Sequence, residues 1–154
     1  KDHTLVLSVY NSAIGMRTMH EYALFCSAVR KANLGTAAEH LHNMSGLYPE
    51  IDARSPHEEV RKLIKGLCAV GDFLTAAQAV DDYAASFNLS NDARLKELEG
   101  DMYRYIGKSS RDPEAILRAR DAYQEATDRS HYPNSSRVLG KVAASSSLIA
   151  ELVA

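Results

Sequence analysis

The segment from Leu63 to Tyr83, LIKGLCAVGDFLTAAQAVDDY, constrains the fold of this chain more than any other stretch. The apolar residues in and just before its first half recur every three or four positions, which places them along one stripe of a helix. They are Val60, Leu63, Ile64, Leu67 and Cys68. Gly71 and Asp72 follow, and this pair predicts the end of one helix and the capped start of another. The segment therefore predicts a hairpin of two helices.

The second helix of this hairpin carries small side chains where it would meet the first. Alanines at such a contact allow the two helix axes to approach closely. The residues expected on this side are Ala76, Ala77, Val80 and Tyr83. Upstream, Ser55 and Pro56 precede Glu58 in the order typical of a capped helix start, which we place at Pro56.

Two other segments repeat this pattern at a spacing of about 40 residues. Thr36-Ala37-Ala38 recurs as Thr75-Ala76-Ala77. Three triplets share a step of four and then three residues, and they are Ala37/Leu41/Met44, Ala76/Val80/Tyr83 and Ala119/Tyr123/Ala126. Degenerate self-similarity with this period is typical of a helical solenoid.

We therefore predict a single all-α domain over residues 1–154, an antiparallel helical-hairpin repeat array (an α-solenoid) of about three repeats plus terminal helices. The expected hairpins cover about 18–47, 56–88 and 91–130, and the terminal helices about 4–14 and 135–153. Gly15 and Gly107 are expected to end helices. The run LVLSVY, which starts at Leu5, has the composition of a strand, but the helical pattern elsewhere favours a helix.

Composition is compatible with an intracellular globular domain. The chain has 154 residues, of which 45% are hydrophobic, and a net charge of −2 without a long charged run. Cys26 and Cys68 lie in predicted helices, outside any metal-binding spacing, so we expect reduced thiols. We find neither a membrane-spanning apolar stretch nor a signal-peptide pattern. The chain begins at Lys1, which fits a mature form or a segment of a longer protein.

The central segment resembles the pentatricopeptide repeat, whose pattern runs LI-x-G-x-C-x-x-G-x-x-x-x-A. Residues Tyr22 to Met44 resemble a weaker copy of the same repeat. Gly100, Tyr103 and Gly107, followed by the third triplet, are more similar to a tetratricopeptide repeat with an insertion. The resemblance implies stacked helical hairpins that bind a partner along one surface. Its pentatricopeptide version implies RNA binding in a mitochondrion or chloroplast.

Pentatricopeptide repeats read RNA bases with a small polar residue near the start of the first helix of each repeat. The matching positions here are Tyr22 and Arg61, and neither is such a residue. The resemblance therefore does not carry over the base-reading residues, although Arg61 would suit a phosphate contact.

The histidines and acidic residues of the chain form no pattern typical of a catalytic or metal-binding site. His40 and His42 are two residues apart, so they face different ways on a helix. Glu97, Glu99 and Asp101 are expected to be solvated charges on a helix surface. The sequence has no nucleophile elbow, phosphate-binding loop or HExxH motif. We expect no catalysis, no cofactor, no metal and no small-molecule substrate.

The densest basic region has tyrosines within it. Tyr103 and Tyr105 accompany Arg104, Lys108, Arg111, Arg118 and Arg120. Basic residues interleaved with aromatic ones are typical of grooves that bind single-stranded nucleic acid. Nearby acidic residues can neutralise these arginines, and Tyr105 also fits an apolar face.

The sequence therefore favours a non-catalytic helical-repeat module that acts as a protein-interaction scaffold in a larger assembly. The alternative is an RNA-binding pentatricopeptide segment of an organellar RNA-processing or translation factor. In either case we expect partners along one helical face and no membrane association. The candidate binding surface consists of Tyr22, Arg61, Lys62, Lys65, Arg104, Lys108 and Arg111.

Overall fold

The computed structural model describes residues 2–46, 56–87, 92–129 and 135–154 of the chain. Within these ranges the protein forms seven α-helices and no β-strand, as expected of an all-α fold. The helices are α1 (Asp2–Arg30), α2 (Leu34–Ser45), α3 (His57–Ala69), α4 (Phe73–Phe87), α5 (Ala93–Ser110), α6 (Pro113–Arg129) and α7 (Ser135–Val153).

Aspartate side chains cap three of these helices. The backbone N–H of Thr75 donates to Asp72 Oδ1 at 3.2 Å at the start of α4. Asp92 caps α5 and Asp112 caps α6 in the same way, through hydrogen bonds of 2.7 and 3.0 Å. Gly71, just before α4, has a φ of 80°, the left-handed conformation predicted for it. Pro56 precedes the first residue of α3 instead of starting the helix, and Ser55 lies outside the described residues.

Two predicted helix ends are wrong. Gly15 lies inside α1, which joins the expected terminal helix and the first hairpin helix into one helix of 29 residues. Gly107 lies inside α5, which ends only at Ser110, where Arg111 adopts a left-handed φ of 51°. A single glycine in a helix costs only about 1 kcal/mol, so helix-forming residues on both sides carry the helix through it.

The helices pack as neighbours along the chain and also as alternating layers. Helices joined by short turns lie against each other, namely α1 with α2, α3 with α4, and α5 with α6. Helices two apart in the chain also pack together, α2 with α4 and α3 with α5. The last helix, α7, lies along α6. Among the described residues, α6 makes no comparable contact with α4. The packing of helices two apart in the chain therefore does not continue from α2 and α4 to α6.

The core follows the three triplets of the sequence. All nine triplet residues, on α2, α4 and α6, are at most 3% exposed. The apolar stripe of α3 from Val60 to Cys68 is buried as predicted. The assignment of Ala77 to the apolar side of α4 is wrong, because Ala77 is exposed. Thr18, Phe25 and Ala28 line the buried side of α1.

Helices α5 and α6 approach each other closely at two glycines of α5. A methyl group added to Gly100 would stand 2.5 Å from Cε1 of Tyr123. At Gly107 it would overlap the side chain of Ile116. These glycines are therefore contact residues inside a helix. The close approach of α6 explains why glycine occurs at position 107 although the helix continues past it.

Candidate functional site

Four helices meet at the carboxylate of Asp101, which is only 2% exposed. The hydroxyl of Tyr123 on α6 donates to Asp101 Oδ1 at 2.5 Å, and Lys141 Nζ on α7 donates to the same oxygen at 3.0 Å. Arg61 on α3 and Arg104 on α5 each place a guanidinium nitrogen 4.0 Å from the carboxylate. Asp101 thus links α3, α5, α6 and α7 through one buried charge.

Glu97 lies one turn before Asp101 on α5 and is 7% exposed. Arg137 donates two hydrogen bonds of 2.6 Å to its two carboxylate oxygens, and Lys141 donates a third of 2.6 Å. Burial alone would raise the pKa of Glu97, but the hydrogen bonds and charges of Arg137 and Lys141 outweigh it and lower this pKa to about 2. Glu97 is therefore ionised throughout the physiological range.

The expectation that Glu97 and Asp101 are solvated surface charges is wrong. Both are buried because α7 brings Arg137 and Lys141 over them. The sequence does carry a signal of this contact. Glu97 and Asp101 are four residues apart, and Arg137 and Lys141 repeat that spacing with the opposite charge. Side chains four apart share a helix face, so the two pairs can meet directly.

The cluster carries more positive than negative charge. Four cations, Arg61, Arg104, Arg137 and Lys141, lie around the two carboxylates and leave two positive charges in excess. The Arg61 and Arg137 side chains remain 45% and 52% exposed. Arg104 Nε is buried without a hydrogen-bond partner among the described residues.

Tyr123 acts as a neutral donor within this cluster. Burial, followed by the charge of Asp101 and the hydrogen bond to it, raises the pKa of the Tyr123 phenol well above its usual value. The hydroxyl therefore keeps its proton. The Lys141 ammonium also lies 5.4 Å from the centre of the Tyr123 ring, within range of a cation–π contact.

Four polar contacts between helices two apart in the chain share one sequence separation. His42 and Asp82 join α2 to α4, and Arg61 and Asp101 join α3 to α5. The contacts between α5 and α7 include the pairs Glu97–Arg137 and Asp101–Lys141. The partners in each of these four contacts are 40 residues apart.

The second half of α5 reverses the charge pattern of the first half. Lys108 and Arg111 continue the stripe of Glu97, Asp101 and Arg104 at helical spacing. They are exposed, and they line a cavity of about 380 Å³ opposite the C-terminal half of α7. The α7 residues in this cavity are Leu148, Glu151 and Leu152. On α5 the acidic Glu97 and Asp101 thus precede the basic Lys108, and on α7 the basic Arg137 and Lys141 precede the acidic Glu151.

The predicted binding residues fall into three places. Arg61 and Arg104 lie at the cluster around Asp101, and Lys62 and Lys65 are exposed on α3 next to it. Lys108 and Arg111 lie further along α5. Tyr22 is half-buried on α1, where its ring meets Phe87 edge-on at 6.3 Å. Burial, with a smaller contribution from Cys26, raises the pKa of Tyr22, so this residue belongs to the packing of α1.

The tyrosines of the basic region are engaged within the protein. The Arg104 guanidinium lies 5.8 Å from the centre of the Tyr105 ring, and that of Arg118 lies 5.9 Å from the centre of Tyr103. Both tyrosines are half-buried and pack against the core. Stacking of nucleic-acid bases on these rings would have to replace such contacts.

The two histidines of α2 face different helices, as their spacing predicts. His40 Nδ1 lies 2.7 Å from Glu21 on α1, and His42 Nδ1 lies 3.2 Å from both carboxylate oxygens of Asp82 on α4. Gln78 also donates to Asp82, at 3.0 Å. Both histidines therefore link α2 to its neighbours.

The described part of the chain holds no group of three or more histidine, cysteine or acidic side chains arranged to bind a metal ion. Cys26 and Cys68 are both free, and burial raises the pKa of the Cys68 thiol to about 11. None of the described helices combines the length and the apolar character needed to span a membrane.

Comparisons of this chain with protein-family models, with curated proteins and with solved structures find no match.

Proposed function

We propose that this chain is a non-catalytic helical-repeat module that binds a protein partner and serves as a scaffold in a larger assembly. The observation that carries the proposal is the set of polar contacts at a separation of 40 residues, which place α5 beside α3 and bring α7 to α5. In repeat proteins, equivalent helices placed side by side form an extended surface for partners.

The partner surface proposed here begins on α3. Lys62 and Lys65 are exposed on this helix, and Arg61 is half-exposed beside them. Arg104 continues the positive charge onto α5. Opposite charges across an interface steer association and suppress wrong partners, so we expect the partner to present acidic side chains to this face.

Protein is favoured over RNA as the partner because the cations of this face are partly neutralised. Asp101 and Glu97 lie among them, and Glu58 is 3.5 Å from Arg61. The chain as a whole has a net charge of −2. Nucleic-acid affinity depends on many phosphate contacts with free cations. We therefore expect single-stranded RNA to bind no tighter than about 10⁻⁴–10⁻⁶ M at physiological salt, the range of non-specific contacts.

The experiment is affinity recovery with the full chain from an RNase-treated extract, compared among three forms. The first is the unchanged protein, and the second carries Arg61→Gln, Lys62→Gln and Lys65→Gln. The third is a matched control that loses three cations elsewhere, through Arg17→Gln, Lys31→Gln and Arg120→Gln.

A protein recovered by the first and third forms but depleted with the second supports the proposal. Fluorescence anisotropy with single-stranded RNA completes the test. Nanomolar, sequence-selective RNA binding that Arg61→Gln abolishes would refute a protein scaffold and support the pentatricopeptide alternative.

A further inference from the structure

The acidic pair on α5 is buried by a helix that brings a matching basic pair. Glu97 and Asp101 are covered by α7, whose Arg137 and Lys141 sit at the same four-residue spacing and bind them at 2.6–3.0 Å. Tyr123 on α6 also donates a hydrogen bond to Asp101. The contact with α7 shows that the acidic pair accommodates two basic side chains that are four residues apart on a helix.

Opposite charges also occur near the C-terminal ends of both helices. Lys108 on α5 and Arg111, just after α5, line one cavity with Glu151 on α7. A helix that fits this surface therefore has two basic side chains four residues apart and an acidic one about three turns later. This charge order favours one direction of the bound helix, because a reversed helix would place like charges together.

Helix α7 packs along α6 but buries fewer apolar side chains than α6 does. Within the described part of α7, Val138 is its one buried apolar side chain, with Val142 partly buried beside it. Leu139 and Val153 are 47% and 68% exposed. Gly140 and the serines at 145–147 also lower the intrinsic helix propensity of α7. By contrast, α6 buries six side chains, Ala115, Ile116, Ala119, Ala122, Tyr123 and Ala126.

We propose that α7 is a detachable latch, and that the surface it covers on α5 and α6 binds a partner helix with the same charge order. Such a partner competes with α7 for Glu97 and Asp101. The surface differs from the basic face of α3, and its predicted partner has the opposite charge at the contact. This proposal therefore does not depend on the function proposed above.

Separating a buried ion cluster costs less than its hydrogen bonds alone suggest, because the separated ions regain water. Burial of Glu97 and Asp101 removes their hydration, and the bonds to Arg137 and Lys141 offset that loss. When α7 leaves, all four charges regain water, so much of the electrostatic attraction is returned as hydration. The remaining attachment is the contact with α6, and a helix held mainly by one neighbour opens below the free energy of global unfolding.

The first test is native-state hydrogen exchange of the unchanged full chain. We expect the amides of α7 to exchange together through an opening that leaves α5 and α6 protected. This opening should become more frequent between about 0.1 M and 1 M NaCl, where the Debye length falls from about 10 Å to about 3 Å. Exchange of α7 only together with α5 and α6, at every salt concentration, would overturn the proposal.

The second test uses a labelled peptide of residues 135–154, added to the full chain. In the Arg137→Gln/Lys141→Gln variant the chain's own α7 competes less well, so the peptide should bind at least about tenfold more tightly than to the unchanged protein. The matched control, Arg17→Gln/Lys31→Gln, loses the same charge at two exposed positions outside α5 and α7 and should behave as the unchanged protein does.

In the Arg137→Gln/Lys141→Gln variant, the additional changes Glu97→Gln and Asp101→Asn should abolish peptide binding. Equal peptide affinity for the Arg137→Gln/Lys141→Gln variant and the unchanged protein would overturn the proposal. The exchange experiment needs no substitution, so the proposal remains testable if a variant fails to fold.

Discussion

Gly100 on α5 lies against the ring of Tyr123 on α6, so closely that a methyl group at Gly100 would stand 2.5 Å from the ring. The contact brings the Tyr123 hydroxyl to Asp101, one residue after Gly100. Close helix packing and the buried charge cluster are therefore parts of one arrangement.

The first prediction concerns this glycine. Gly100→Ala should lower the free energy of unfolding by about 1–3 kcal/mol, because the added methyl group overpacks the contact with Tyr123. The matched control is Gly140→Ala on α7, where a methyl group would meet nothing within 4 Å. That change should stabilise the helix by about 0.5–1 kcal/mol. Urea denaturation measures both, and equal effects would show that the α5–α6 contact is looser than described.

The second prediction concerns the Tyr123 hydroxyl. Tyr123→Phe leaves the ring in place but removes a hydrogen bond to a buried carboxylate, so it should cost about 1–3 kcal/mol. The control is Tyr103→Phe, since the described residues show no hydrogen bond to the Tyr103 hydroxyl. It should change stability by less than about 0.5 kcal/mol. A loss at Tyr123 no larger than that at Tyr103 would argue against the bond to Asp101.

The third prediction is a dependence of stability on pH. The pKa of Glu97 lies at about 2 in the folded protein and at 4.5 when unperturbed. A carboxyl whose folded pKa is depressed stabilises the protein above its unfolded pKa, and this stabilisation is lost as pH falls towards the folded pKa. The free energy of unfolding should therefore decrease as pH falls from about 5 to about 2.

Glu97→Gln should remove part of this decrease, as measured by urea denaturation at several pH values. Glu99→Gln is the matched control, because the Glu99 side chain is more exposed and pairs with Lys96. If the Glu97 and Glu99 variants retain the same pH dependence as the unchanged protein, the Glu97 cluster is not the source of the effect.

The fourth prediction compares adjacent alanines of α4. Ala76 is fully buried, whereas Ala77 is exposed. Ala76→Leu should destabilise the protein by about 1–3 kcal/mol through overpacking, and Ala77→Leu should change stability by less than about 0.5 kcal/mol. Thermal or urea unfolding checks both. A neutral Ala76→Leu would contradict the alignment of the alanine triplets with the core.

The parts of the fold that depend on local chemistry could be predicted from the sequence. Asp72, Asp92 and Asp112 cap helices because each precedes a helical pattern, and the triplet positions are buried because their spacing follows one helix face. Gly15 and Gly107 were misassigned as helix ends, because a glycine alone does not distinguish a helix end from a site within a helix.

The candidate site was harder to predict from the sequence than the helices and the core. The burial of Glu97 and Asp101 depends on α7, whose basic residues come 40 residues later in the chain. The periodicity of one helix does not predict its contacts with a later helix. The sequence of α5 alone therefore predicts that its acidic side chains are solvated. The paired spacing of Glu97/Asp101 and Arg137/Lys141 was the available signal, and it becomes informative only when α5 and α7 are considered together.

The most direct measurement of the proposed function is the dissociation constant between the full chain and the protein recovered with it, at about 0.15 M salt. The account predicts that Arg61→Gln/Lys62→Gln/Lys65→Gln raises this constant at least about tenfold, or about 1.4 kcal/mol, by removing charge complementarity. Arg17→Gln/Lys31→Gln/Arg120→Gln should leave it within about twofold, because none of these cations is on α3 or in the ion cluster around Asp101. An equal loss with both variants, or no loss with either, would contradict the assignment of the partner surface to α3.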